Sequence, residues 1–328
     1  MRVLVAGGAG YIGSHTVQEL LGRGIEVATF DDFSTGRREL VPGGEVIEGD
    51  LLDRDDVRAA FKTGRFDAVL HFASLIQVGE SFRDPAKYYT HNLDTSLNLL
   101  DAMREAGVGA FIFSSSAAVY GDPEVLPIPE SHPLKPINPY GQTKLFVERI
   151  LEDYGRAYGL RFVSLRYFNA AGADPGGLRG EMHDPETHLI PNILLHLLGR
   201  TPALEVFGTD FPTPDGTAVR DYIHVSDLAV AHVLALEKLL AGGPSLVLNL
   251  GANRGYSVLE VIRKAEEITG RKAAIEPRPR REGDVPVLLA SKERAERQLG
   301  WTLRHSELET ILQTAWRWHR TKSPRIDV

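Results

Sequence analysis

The sequence predicts an α/β fold: a doubly wound parallel sheet with a smaller, intimately packed C-terminal substrate domain. Three observations lead there. Short β-branched runs alternate with longer amphipathic stretches through the first half of the chain, the pattern of repeated strand–helix–strand units. Runs that are apolar throughout, such as Ala68-Val69-Leu70 and Phe111-Ile112-Phe113, suit strands covered on both faces. A glycine-rich turn follows the first strand pattern directly.

In chain order, strands are expected at residues 2–6, 25–30, 45–48, 67–72, 110–114 and 161–166, and helices over 11–23, 54–62, 86–105 and 140–158. After about residue 170 the pattern changes. Gly, Pro and Asp cluster at 172–180 and 208–216, and short strands and helices follow in mixed order. The expected division is a dinucleotide-binding domain over residues 1–169 and a mainly substrate-binding part over 170–328. A helix at 227–240 and a strand at 246–250 complicate that boundary, because part of 225–252 can return to the first sheet. A cleft between the two parts is the default ligand site.

Composition narrows the classes. The chain has 328 residues, with 43% hydrophobic and 25% charged, ordinary for a globular protein. Its 44 acidic residues against 37 basic ones leave a net charge of −7, which argues against nucleic acid or an anionic membrane as main partner. There is no cysteine, so disulfides, thiolate nucleophiles and cysteine-ligated metals are excluded. No apolar run reaches the roughly 18 residues of a membrane span, and the N-terminus reads as a first strand rather than a signal peptide. A cytoplasmic protein is the expectation.

In the turn after the first strand, Gly7, Gly10 and Gly13 recur at a spacing of three, and Gly8, Gly10 and Gly13 satisfy G-x-G-x-x-G. Glycine permits the tight turn and lets backbone approach a pyrophosphate, while the following helix, opening at Tyr11-Ile12, presents free N–H groups to that anion. This is the Rossmann context. The next strand ends in Asp31-Asp32, near the roughly 20-residue distance at which an acid accepts from a ribose 2′-hydroxyl. A carboxylate there repels a 2′-phosphate, so NAD is favoured over NADP, with Arg37 and Arg38 close by as the opposing signal. Asp50 and Leu51 are placed beside the adenine; a helix cap is the competing reading of that pair.

Tyr140 and Lys144 stand at i and i+4 behind Pro139, so both project from one face of a helix start. A nearby ammonium favours the phenolate and is expected to lower the tyrosine toward working pH, as a general base needs. The spacing alone is weak; context raises it. Ser114-Ser115-Ser116 closes a buried strand, and ligands bind at the carboxyl ends of such strands. Ser116 can donate to the same substrate oxygen.

The glycine turn, the serine strand and Tyr-x-x-x-Lys together resemble the extended short-chain dehydrogenase/reductase superfamily. With His71-Phe72-Ala73, Val78-Gly79-Glu80-Ser81, the stretch 114–121, Asn138-Pro139-Tyr140, Tyr167-Phe168-Asn169 and Arg220-Asp221-Tyr222-Ile223-His224-Val225, the chain is similar, over nearly its whole length, to the UDP-glucose 4-epimerase family within it. The resemblance implies retained NAD, oxidation at C4 of a UDP-hexose with Tyr140 as base, rotation of the keto sugar and return of hydride to its other face. Lys144 would tune Tyr140 and hold the nicotinamide ribose. Phe72, Ala73, Ser114 and Tyr167 would border the cofactor. On the substrate side the resemblance implies Arg220 and Arg281 on the diphosphate, Asp284 on the uridine ribose, and Asn169 at the diphosphate or sugar. His188 would lie beside the uridine, Leu189 and Phe207 would border the uracil, and Leu288 would stand where side-chain bulk governs acceptance of N-acetylhexosamines. Ala117-Ala118 replaces the acid pair of related 4,6-dehydratases, and alanine performs no acid–base chemistry.

UDP-glucuronate, UDP-pentose and UDP-N-acetylhexosamine epimerisation are the alternatives, and a non-catalytic nucleotide sensor is the reading from another class. No metal site is expected. His15, His71, His224 and His232 are scattered, and His183, Asp184 and His188 share a loop without a recognised ligand spacing. Trp301, Trp316 and Trp318 are expected to pack the C-terminal helix. A homodimer pairing the 86–105 and 140–158 helices is implied by the resemblance. Leu93, Leu97, Leu100 and Met103 recur at helical spacing, but the same set can equally face the sheet.

Overall fold

The computed structural model describes residues 1–322. The elements run β1 (Arg2–Ala6), α1 (Tyr11–Gly22), β2 (Glu26–Asp31), β3 (Glu45–Glu48), α2 (Arg54–Lys62), β4 (Ala68–His71), α3 (Val78–Arg83), α4 (Pro85–Ala106), β5 (Ala110–Ser116), α5 (Pro139–Tyr158), β6 (Arg161–Tyr167) and β7 (Asn169–Ala171). They continue as α6 (Leu189–Leu197), β8 (Leu204–Phe207), β9 (Val219–His224), α7 (Val225–Leu240), β10 (Leu246–Leu250), β11 (Gly255–Ser257), α8 (Val258–Thr269), β12 (Ile275–Arg278), β13 (Val287–Leu288), α9 (Glu293–Leu299) and α10 (Leu308–Lys322).

Among the described residues, seven strands form one parallel sheet in the order β10-β6-β5-β4-β1-β2-β3. Strand order reverses beside β1. The chain steps outward through β2 and β3, then returns to β4 on the other side of β1. The crevice at the carboxyl ends of β1 and β4 is therefore the switch point, where open α/β sheets bind ligands.

Alternate side chains of the central strands face opposite layers. Val3, Val5, Leu70, Ile112 and Leu165 pack with Val17 and Leu20 of α1 and Leu228 and Leu236 of α7. Leu4, Phe30, Val69, Phe111 and Phe113 pack with Val57 of α2, Leu99, Leu100 and Met103 of α4, and Val147 and Leu151 of α5. Both faces are covered, which is why these strands read as apolar runs. Leu100 and Met103 thus face the sheet, while Leu97 stays half-buried.

The remaining elements build a smaller layer. Strand β9 pairs antiparallel with β11 and parallel with β7 and β13, and β8 pairs with β12. Ile193, Leu194, Val261, Ile262, Ile311 and Leu312 of α6, α8 and α10 form its core. Trp318 packs on Leu40 and Ala173. Trp301 does not join the C-terminal helix: it lies in the core shared with α7 and donates its Nε1–H to the Asp227 carbonyl at 2.9 Å, because the turn before α10 passes over the start of α7.

Candidate active site

The glycine turn is built by close contact. Gly7 has φ +79°, and a Cβ on it would lie 2.5 Å from the Ala73 nitrogen; one on Gly13 would lie 2.1 Å from the Gly7 carbonyl oxygen. These glycines let the start of α1 drop against the loop after β4. Gly10 is the N-cap of α1 and no side chain caps that turn, so the N–H groups of the first turn remain for an anion.

Asp31 ends β2 buried, accepting the backbone N–H groups of Ala9 at 2.9 Å and Phe33 at 3.0 Å. Burial raises its carboxyl above the ordinary value despite those two bonds. Asp32 turns outward to the Ser34 backbone and hydroxyl at 3.0 and 2.8 Å. Arg38 is drawn away by Glu48, whereas Arg37 lines the same wall. Asp50 accepts from Leu52 N–H at 2.8 Å, and the cap of α2 is Asp53 instead.

The Ser–Tyr–Lys set meets at the carboxyl end of β5. Asn138 caps α5 by accepting the Gly141 N–H at 2.7 Å, which places Tyr140 and Lys144 on the helix's buried face. The Lys144 Nζ donates to Ser74 Oγ at 2.8 Å and to the Ser114 carbonyl at 2.9 Å. It lies 5.0 Å from the centre of the Phe113 ring and 5.8 Å from that of Tyr140. Burial brings its ammonium down to about 7, with Glu148 opposing. Burial pushes the Tyr140 hydroxyl up from its ordinary value, and the hydrogen bond from Ser116 pulls it back. The expected lowering by Lys144 is not seen: its Nζ is bonded to Ser74 and the Ser114 carbonyl and not to the Tyr140 hydroxyl. Ser116 Oγ accepts the Ala118 N–H at 3.1 Å, which turns its own proton outward. Ser114 and the Tyr167 hydroxyl hydrogen-bond each other.

All the site residues named from the sequence, Gly7 through Leu288, line one cavity of about 1550 Å³. The parallel sheet, its loops and α1 contribute Gly7, Gly10, Tyr11, Ile12, Gly13, Asp31, Asp32, Asp50, Leu51, Phe72, Ala73, Ser114 and Tyr167, and the end of β5 and start of α5 contribute Ser116, Tyr140 and Lys144. The segments from β7 onward contribute Asn169, His188, Leu189, Phe207, Arg220, Arg281, Asp284 and Leu288. Arg220 is held on the Val219 and Val285 carbonyls at 3.0 and 2.9 Å, with Asp284 at 3.5 Å. The Arg281 guanidinium stacks 4.0 Å over Phe207.

Three parts of the site were not singled out as functional in the sequence. Ser74 anchors Lys144; its only signal is its place just after a buried strand. Asn92 accepts from Leu75 N–H at 2.8 Å and donates to the Leu75 carbonyl at 3.1 Å and to Thr143 Oγ1 at 3.0 Å, tying the loop after β4 to α5 beside Lys144. Glu181 and Glu186 gather with His183 and His188.

A sheet whose switch point opens on an uncapped glycine turn, with tyrosine and lysine one helical turn apart at its rim, defines the class: an extended short-chain dehydrogenase/reductase. The NAD dependent epimerase/dehydratase family matches residues 3–251. The UDP-glucose 4-epimerase of Azospirillum brasilense is 51% identical, over 98% of this chain and 92% of its own length. Among solved structures, the Brucella ovis UDP-glucose 4-epimerase in complex with NAD superposes with a TM-score of 0.93 at 50% identity, covering 96% of this chain and 97% of that one. The Bifidobacterium longum enzyme in complex with NAD+ and UDP gives 0.94 at 38% identity, covering 98% and 99%. The chain belongs to the NAD-dependent epimerase/dehydratase family, among its UDP-glucose 4-epimerases.

Proposed function

We propose that this protein interconverts UDP-glucose and UDP-galactose by transient oxidation at C4 of the hexose, with retained NAD and Tyr140 as general base. The observation that carries this reading is the position of Ser116, Tyr140 and Lys144. They line the same cavity as the glycine turn and as Arg220 and Arg281. NAD, when bound, supplies the hydride acceptor and donor that this chemistry requires. The chain fits it: the Gly7 and Gly13 approaches leave no room for a Cβ, and the first turn of α1 has no side-chain cap.

The chain's own residues do the rest. Tyr140 takes the proton of the 4-hydroxyl and later returns it to the other epimer. Ser116 donates to the same oxygen, its Oγ already oriented by Ala118 N–H. Lys144 has two of its three protons committed to Ser74 and Ser114, leaving one for a ribose hydroxyl. Arg220 and Arg281 suit the UDP diphosphate, since guanidinium groups present several donors to its oxygens. Such anchoring at the nucleotide leaves the hexose free to turn over between the two hydride transfers.

Purified protein given UDP-galactose with no added NAD should form UDP-glucose, read by chromatography. Conversion only after adding NAD would keep the chemistry with a loosely held cofactor. No conversion in either case would overturn the hexose reading and move the search to UDP-uronates and UDP-pentoses.

We also infer a homodimer through α4 and α5. These helices pack side by side and leave Phe146 42% exposed, with the Tyr89 ring 6.1 Å from it and Leu97 of α4 half-buried.

A further inference from the structure

We infer that Glu181, His183, Glu186 and His188 form a binding site for a divalent transition-metal cation, which clips the loop ahead of α6 against the glycine turn. This goes against the expectation of no metal site, which considered the two histidines and Asp184 without the two glutamates. It concerns residues outside the Ser–Tyr–Lys machinery and does not depend on which sugar is turned over.

One ligand atom from each of the four side chains lies within 4.8 Å of all the others. Metal bonds of about 2.0–2.2 Å to imidazole nitrogen and carboxylate oxygen set tetrahedral ligand atoms roughly 3.3–3.6 Å apart, so small side-chain adjustments close this set on one ion. Both imidazoles turn Nδ1 toward the same Glu181 oxygen, His183 at 2.9 Å and His188 in direct contact. His183 Nδ1 also lies 3.9 Å from Glu186.

Two further observations point to a ligand. His183 Nδ1 is sealed from solvent and, despite its short distance to Glu181, has no aligned hydrogen-bond partner among the described residues. Its in-plane bonding direction therefore does not point at the carboxylate oxygen beside it. Glu181 itself is only 3% exposed, and a buried carboxylate needs a counter-charge. In the metal-free protein the two imidazoles paired with Glu181 supply it, and a divalent ion would replace their protons as the positive charge between the two carboxylates. A donor set of two nitrogens and two oxygens suits Zn²⁺, Co²⁺ or Mn²⁺ rather than the all-oxygen preference of Ca²⁺.

The ligands are held from behind, as metal sites require. Glu186 Oε1 accepts the N–H groups of Thr187 and His188 at 2.8 and 2.9 Å. The Glu181 carbonyl accepts from Trp318 Nε1 at 3.0 Å, fixing the loop to α10. Ion access is open on the other side, because His183, Glu186 and His188 line the cavity. The His183 ring packs edge-on to Tyr11 at 6.4 Å, and the Tyr11 hydroxyl donates to the Gly172 carbonyl at 2.6 Å. A bound ion would thus order the loop ahead of α6 against Tyr11 of the glycine turn.

The test uses the full-length protein with its retained dinucleotide, stripped with EDTA and desalted, then incubated with Co²⁺ at micromolar free concentration. We expect about one equivalent of Co²⁺ retained through gel filtration, with a visible d–d absorption displaced by Zn²⁺, and a raised melting temperature. His183→Ala and the near-isosteric Glu186→Gln should each weaken retention by more than about tenfold, with the circular dichroism spectrum unchanged. Failure of the parent protein to retain Co²⁺, or equal retention by a folded Glu186→Gln variant, would overturn the site. Loss of sugar-nucleotide turnover with Co²⁺ binding intact would count against the proposed reaction and leave the metal site standing.

Discussion

Burial works against Tyr140 as a base. Loss of water holds its hydroxyl above the usual value near 10, and the Ser116 hydrogen bond is the force that opposes this in the protein alone. The group is therefore a proton donor and acceptor only with a charged partner in the cavity, which suits a residue that must stay protonated until substrate and cofactor are in place. Tyr140→Phe removes the transferable proton and leaves the ring's packing. We expect kcat to fall by about 10²–10⁴-fold, while bound NAD, read by absorbance after denaturation, is unchanged. Near-normal turnover in this variant would refute the base assignment and leave the nucleotide-sensor reading to be tested. At this scale the Tyr140–Lys144 pair was legible as a spacing. The anchor of Lys144 was not, because Ser74 lies in the loop after β4 and is brought there only by the sheet.

A buried charge pair joins helix α5 to strand β6 beneath the catalytic set. Arg166 donates to Glu148 at 2.9 Å through Nε and again through Nη2, and its Nη1 reaches the Tyr120 hydroxyl at 2.9 Å. Ser115 adds a hydrogen bond to Glu148 at 2.6 Å, and Tyr120 passes the chain to Asn249 on β10 at 2.7 Å. Both ends of the pair are at most 4% exposed, so breaking it leaves a charge stranded. Arg166→Met should cost about 3–5 kcal/mol in urea unfolding. The double change Glu148→Gln with Arg166→Met should recover much of that, since the uncompensated carboxylate is gone. A loss of under about 1 kcal/mol in the single variant would show the pair is not desolvated as described. The elements themselves were largely readable from period and glycine placement. Helix α3 was not, because its six residues are too few to show a helical period.

At the scale of the molecule, five histidines are held below their ordinary value by burial: His15 and His232 at about 4, His71 and His224 at about 3, and His319 in the same direction. Each protonates near 6.5 when unfolded, so between about 6.5 and 4 the unfolded chain binds more protons than the native one. Stability is then full above 6.5 and lost as pH falls, by up to about 1.4 kcal/mol per pH unit for each histidine. Asp221, which burial raises to about 6, protonates in the native state over part of that window and softens the slope. Urea midpoints should drop steeply as pH falls from 6.5 toward 4.5; a flat profile over that range would contradict neutral burial. The second prediction concerns assembly. Phe146→Glu places a charge in the apolar band on α4 and α5 and should shift the mass measured by light scattering from dimer to monomer, without loss of fold. A parent protein that is monomeric at micromolar concentration would remove the dimer proposal.

The sequence by itself determined the alternating architecture, the glycine turn and the helix that carries tyrosine and lysine, because these are encoded in spacings of a few residues. It could not decide which face of α4 meets the sheet, since one apolar stripe serves either partner. Nor could it place β10 beside β6, or gather Glu181, His183, Glu186 and His188 around a single point. Those outcomes depend on contacts between segments far apart in the chain, or on how a loop folds back on itself. Only the packed molecule, by covering both faces of the sheet and excluding water from the cavity wall, settles them.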